Sequence, residues 1–176
     1  MCLIETPKEL MHSKLTIIYN ETNRFSYICP ERSSLCEKRE NLLLLPWEED
    51  FVLRNEKTSI KFHRNYQERY CIELIHLQCP WLNKKGLCII YPKRPFDCRS
   101  FPIVPRFSLK PKRVEFFLSP YCPIVNKLPK DFIKTIIRSW MSIEKYLPSE
   151  WKTLYNSLNE YTYNKKAKIC DLHRPI

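Results

Sequence analysis

Two neighbouring stretches decide the fold class: residues 106–118, RFSLKPKRVEFFL, and residues 129–147, PKDFIKTIIRSWMSIEKYL. In the first, Arg106-Phe107-Ser108-Leu109 and Val114-Glu115-Phe116-Phe117-Leu118 flank Lys110-Pro111-Lys112. This reads as a hairpin on a sheet edge, where proline costs no ladder bond. In the second, Phe132, Ile133, Ile136, Ile137, Trp140, Ile143 and Leu147 recur at three- and four-residue steps, which predicts an amphipathic helix with a core-facing stripe. Another helix is expected after Pro148-Ser149-Glu150, burying Trp151, Leu154, Tyr155 and Leu158. Hairpins in one part of a chain and helices in another give an α+β class.

Upstream, Leu15-Thr16-Ile17-Ile18-Tyr19 alternates apolar and polar residues. Asn20 to Asn23 supplies turn chemistry and Phe25-Ser26-Tyr27-Ile28 resumes an extended run, so a hairpin leading into Cys29 is expected. Pro46, with Glu48, Glu49 and Asp50 behind it, suits the start of a short helix carrying Trp47, Phe51 and Val52. Ser59 to Phe62 and Tyr70 to Leu77 read as strands, and Gly86 as a turn before the strand-like Leu87 to Tyr91. The expected architecture is one small domain over residues 1–162, with antiparallel hairpins and short helices around a cysteine-rich region at about 25–125. A C-terminal helical pair follows at about 129–162, and residues 163–176 form a basic, frayed tail.

With 176 residues, 44% of them apolar and 13% aromatic, the chain can bury one sizeable core. Its single glycine removes phosphate loops, dinucleotide fingerprints and the serine nucleophile elbow, each of which needs two or more. The net charge of +11 favours anionic partners. The basic residues are scattered, however (Lys84 and Lys85, Lys93 and Arg94, Lys110 to Arg113, Lys165 to Lys168), so a solvated surface is preferred and nucleic acid ranks as an alternative partner. The longest aliphatic run, Leu42 to Leu45, is far short of a membrane span, and no membrane partner is expected. Charge and proline within the first eight residues break any signal-like apolar stretch, so a cytoplasmic location is expected. Nine cysteines, an odd number in a reducing compartment, point to metal ligation or buried thiols rather than disulfides.

Cys79, Cys88, Cys98 and Cys122 each lie beside a turn, a strand end or a helix start, where ligands can converge. Pro95 is suited to open a helix with Cys98 in its first turn. There the dipole, together with Lys93, Arg94 and Arg99, favours a thiolate. Spacings of eight and nine residues differ from the two-residue knuckles of zinc fingers, so spacing leaves two readings open: ligands to a metal, or small buried hydrophobes.

The wording of the segment carries more. Cys79, Pro80, Leu82, Gly86, Cys88, Ile90, Tyr91, Arg94, Pro95, Cys98, Arg99, Phe101 and Pro102 closely resemble the signature of the YkgJ-type cysteine-cluster family. That family is the zinc- or iron-chelating domain, with C-P-x-L, a glycine turn and C-x-I-Y-x-x-R-P-x-x-C-R-x-F-P. Cys122-Pro123 resembles its closing C-P. The family opens on C-x-x-C-x-x-C-C; here Cys29 and Cys36 match the outer places, while Arg32 and Leu35 stand at the inner two. The resemblance implies metal binding by Cys29, Cys36, Cys79, Cys88, Cys98 and Cys122, with zinc, iron or an iron–sulfur cluster as cofactor. Thiolate chemistry accommodates all of these.

Two alternatives accompany this reading. One is an iron–sulfur oxidoreductase or an accessory to a protein-modifying enzyme, since flagellin lysine methylase-like proteins have similar cysteine patterns. The other is a basic nucleic-acid-binding module with a structural metal. No catalytic residues are assigned: Glu48, Glu49 and Asp50 are explained by a helix start, and no zinc hydrolase or deaminase motif occurs. His76 is read as a strand residue, Cys170 and His173 as tail residues, Cys2 as a terminal thiol and Cys71 as a core residue. Tyr91, Arg94 and Arg99 are expected to orient the cysteine loops.

Overall fold

A computed structural model describes residues 7–25, 41–48, 62–65, 69–73, 79, 81–85, 87–108, 113–163 and 168–173. The first element is a helix, α1 (Pro7–Asn23), not the expected hairpin. The β-branched run Thr16-Ile17-Ile18 favours extended backbone only weakly. Leu15, Ile18 and Thr22, at helical steps, bury one face instead, and Pro7 occupies the first helical position. The local preference loses to packing and leaves Ile17 57% exposed.

Strands β1 (Asn41–Leu43), β2 (Phe62–Asn65) and β3 (Arg69–Glu73) form an antiparallel sheet in the order β1-β3-β2, with Leu42 opposite Ile72 and His63 opposite Cys71. The predicted strand from Tyr70 is therefore present, with its far end outside the described residues, as are Ser59 to Lys61. From Leu45 to Glu48 the chain makes a single turn, closed by the Glu48 N–H donating to Leu45 O at 3.0 Å. The predicted helix from Pro46 is seen only as that turn, its remainder lying outside the described residues.

After a 3₁₀ turn at Tyr91–Lys93 comes the short helix α2 (Phe96–Ser100), which follows Pro95 as the sequence implies. The peptide Phe101–Pro102 is cis. The predicted hairpin is β4 (Ile103–Ser108) against β5 (Arg113–Leu118). It is not all edge: β6 (Lys168–His173) pairs antiparallel with β5, so β5 is central and β4 and β6 are the outer strands. Residues read as frayed tail thus supply a strand, with Cys170 opposite Phe116. The edge of β4 is blunted by side chains. Asn156 donates from Nδ2 to Phe107 O (2.8 Å) and accepts the Phe107 N–H at Oδ1 (3.0 Å), while the Tyr163 hydroxyl donates to Pro105 O (2.9 Å). These bonds satisfy backbone groups that would otherwise template another strand.

Helices α3 (Lys130–Glu144) and α4 (Ser149–Leu158) form the predicted C-terminal pair, each opened by a proline. Phe132, Ile136, Trp140, Ile143, Leu147, Trp151 and Tyr155 are buried against Phe96, Ile103, Phe107, Val114 and Phe116, and α1 closes the same core through Leu15 and Ile18, with Phe25 just past its end. Aromatic rings dominate it, with Phe96 4.7 Å from Trp140 and Trp151 stacked on Tyr155 at 5.0 Å. Loss of a ring as fully buried as Trp140 would cost about 3–5 kcal/mol. The class is α+β, as the sequence indicates. Among the described residues no helix is long and apolar enough to cross a membrane.

Candidate metal centre

Three of the predicted ligands share one small neighbourhood. Leu42, Leu44 and Trp81 form a second buried cluster, apart from the main core, and Cys79, Cys88, Cys98 and Ile90 pack against it. The first two cysteines reach it through a miniature hairpin. Leu82 is bridged to Cys88, the Ile89 N–H donates to Trp81 O (2.8 Å), and the Asn83 N–H donates to Leu87 O (3.0 Å). Asn83 also ties its turn from within, Oδ1 accepting the N–H groups of Lys85 (2.8 Å) and Leu87 (3.0 Å). Gly86, the expected turn glycine, lies outside the described residues.

Cys98 arrives from the first turn of α2, which a buried polar network holds in place. Glu48 is buried, and its Oε1 accepts the Phe96 N–H at 2.7 Å at the start of α2, while Oε2 accepts the Leu45 N–H at 2.9 Å. The Tyr19 hydroxyl of α1 donates to the same Oε1. Burial pushes the Glu48 carboxyl above its ordinary value. Its three hydrogen bonds pull it back, and the nearby Asp97 adds to the rise. Asp97, also buried, accepts from the Tyr155 hydroxyl at 2.8 Å, which fastens α2 to α4.

Arg99 lies beside Cys98 with its guanidinium over the Tyr19 ring at 4.3 Å and its Nε donating to Arg94 O at 2.6 Å. Burial holds it below an ordinary guanidinium, Arg94 lowers it further, and Tyr19, Glu48 and the Cys98 sulfur act in the opposite direction. Arg94 in turn covers the Tyr91 ring at 3.7 Å and donates from Nε to Tyr91 O at 3.0 Å. Both arginines therefore fold the 91–99 loop onto itself through its carbonyls.

Cys122 is buried in the turn after β5 and is not part of the Trp81 cluster. Its turn is nonetheless tied to the end of the α2 segment, because the Ser119 N–H donates to Pro102 O (2.8 Å) and the Cys122 N–H to Ser119 O (3.3 Å). Cys79, Cys88, Cys98 and Cys122 are thiols. Among the described residues no group of three or more His, Cys, Asp or Glu side chains is placed to hold a metal ion. Cys29, Cys36 and His76 lie outside the described residues, as does Cys2. Cys71 and His173 are placed only as backbone in β3 and β6.

Sequence reasoning missed Glu48 and Asp97. Glu48 stood in a run of three acids whose spacing gives no hint that one of them is buried, and Asp97 sat inside a motif read for its cysteine and arginines. No family model matches this chain, and neither do any curated proteins or solved structures.

Proposed function

We propose that this chain is a cysteine-cluster metal-binding protein of the YkgJ type, acting in a reducing, cytoplasmic setting. Cys79, Cys88 and Cys98 are its central donors, and Cys122, Cys29 and Cys36 complete the set. The observation that carries this reading is the convergence of three thiols, from two loop segments and a helix, on the single Trp81 cluster. Cysteines that pack only as small hydrophobes need no fixed positive charge beside them. Thiolates that must bind a cation do, since fixed positive charge offsets their mutual repulsion. The donor set is soft and suits zinc, iron or an iron–sulfur cluster. A bound ion would tie these separate segments together and supply folding free energy directly.

The test is anaerobic purification followed by metal and sulfide analysis, with visible absorbance recorded. Stoichiometric zinc without colour identifies a zinc site, and iron with sulfide and visible bands identifies a cluster. Cys98→Ser is expected to lose most of the bound metal, while Cys2→Ser leaves it unchanged. Metal-free protein in which added zinc or iron protects none of the nine thiols from alkylation would refute the proposal.

A further inference from the structure

We infer that the seam between α1 and α3 is a surface for the phosphate backbone of nucleic acid, gripped at two points by a pair of cations, one from each side of the seam. This inference is independent of the metal reading. At the first point Arg24, just past α1, and Arg138 of α3 both direct guanidinium nitrogens at the Thr135 hydroxyl oxygen, at 3.0 and 3.5 Å. The two nitrogens are therefore no more than about 6.5 Å apart, close enough for like charges to repel and for one phosphate to accept from both. Neither guanidinium is paired with a carboxylate among the described residues. At the second point Lys14 of α1 and Lys145, just past α3, both lie over the Tyr146 ring, 5.6 and 4.7 Å from its centre.

The helices pack against each other here. From Lys14 to Arg24 the rise along α1 is about 15 Å, at 1.5 Å per residue. Phosphates along one strand of a duplex advance by about 3.4 Å each, so the two grips span roughly four of them. Exposed Lys130 and Lys134 continue the row along α3 one turn apart, towards Arg138. Among the described side chains of α1 and α3 the acids besides Glu144 are Glu21 and Asp131, both exposed. Glu144 is held by Lys152.

The face also lacks what other anionic partners require. Among the described residues Ile17 is the large hydrophobic residue exposed on α1, too little apolar surface for a helix that lies in a membrane and no centre for a protein interface. Repeated cations without an apolar centre are the footprint of backbone recognition.

The test is fluorescence anisotropy with a labelled 20-base-pair DNA duplex and a matched RNA, between 50 and 200 mM salt. Two gripped phosphates predict a log–log salt slope near −1.8, so that affinity falls about 12-fold over that range. Arg24→Gln with Arg138→Gln should reduce this to about 3.5-fold. Lys14→Gln with Lys145→Gln should do the same independently, so a folding defect in either pair leaves the other to decide. Lys84→Gln with Lys85→Gln, an equal loss of charge in the exposed turn at the cysteine loop, should leave the slope unchanged. Absence of binding, equal effects of all three pairs, or adsorption to anionic vesicles without binding to either nucleic acid would overturn the inference.

Discussion

Glu48→Gln separates burial from hydrogen bonding at the carboxylate that anchors α2. In the native protein Oε1 accepts from Tyr19 and the Phe96 N–H, and Oε2 accepts from the Leu45 N–H. Glutamine can keep its oxygen at the first position only by placing its NH₂ against the Leu45 donor. At acidic pH, where the native side chain is protonated in both folded and unfolded chains, the substitution should therefore cost about 1–3 kcal/mol.

The pH dependence follows from the raised native value of Glu48. A carboxyl whose folded pKa lies above its unfolded value binds more protons in the native state. Its contribution to stability is therefore full below about pH 4.5 and is lost as pH rises through the folded value. The variant lacks this loss. The gap between wild type and Glu48→Gln should thus narrow as pH rises above 4.5, by no more than about 1.4 kcal/mol per pH unit. Urea unfolding of both proteins from pH 4.5 to 7.5, under reducing conditions, measures it. A gap that widens with pH would show that the three donors outweigh burial and Asp97, and would reverse the electrostatic account of this network.

Two further substitutions probe the sheet. Asn156→Ala removes both partners of the Phe107 backbone and should destabilise the fold by about 2–4 kcal/mol, seen as a lower urea midpoint with unchanged slope, whereas an effect below about 0.5 kcal/mol would mean the edge is satisfied by water. Deleting residues 164–176 removes β6 and the Lys168 partner of Glu115, at 2.7 Å, and bares the flank of β5. It should lower the melting temperature and promote concentration-dependent association, while a deletion without either effect would restore the frayed-tail reading.

The α+β class, the β4–β5 hairpin and both C-terminal helices were legible because each depends on a short-range period. The helical stripe from Phe132 to Leu147 is strong enough that neighbouring elements need only cover it. The N-terminal helix was not legible, since Thr16-Ile17-Ile18 satisfies a strand pattern equally well and its assignment turned on whether Leu15 and Ile18 would meet α3. Strand β6 was hidden for a similar reason: Lys168 to His173 is short, lies next to the basic run Lys165-Lys166, and gains its structure from the open flank of β5.

At the cysteines, chain and fold contributed different things. Residue type and wording along 79–102 identified the thiols, the turn between Cys79 and Cys88, and the helix that Pro95 opens, because backbone constraints of proline and turn residues act within a few positions. Long-range contacts were needed to bring Cys79, Cys88 and Cys98 onto Leu42, Leu44 and Trp81, to bury Glu48 under α2, and to set Arg24 beside Arg138 across more than a hundred residues of chain. Charge and thiol chemistry are written residue by residue. Their consequences depend on dielectric and proximity, which exist only once distant segments pack.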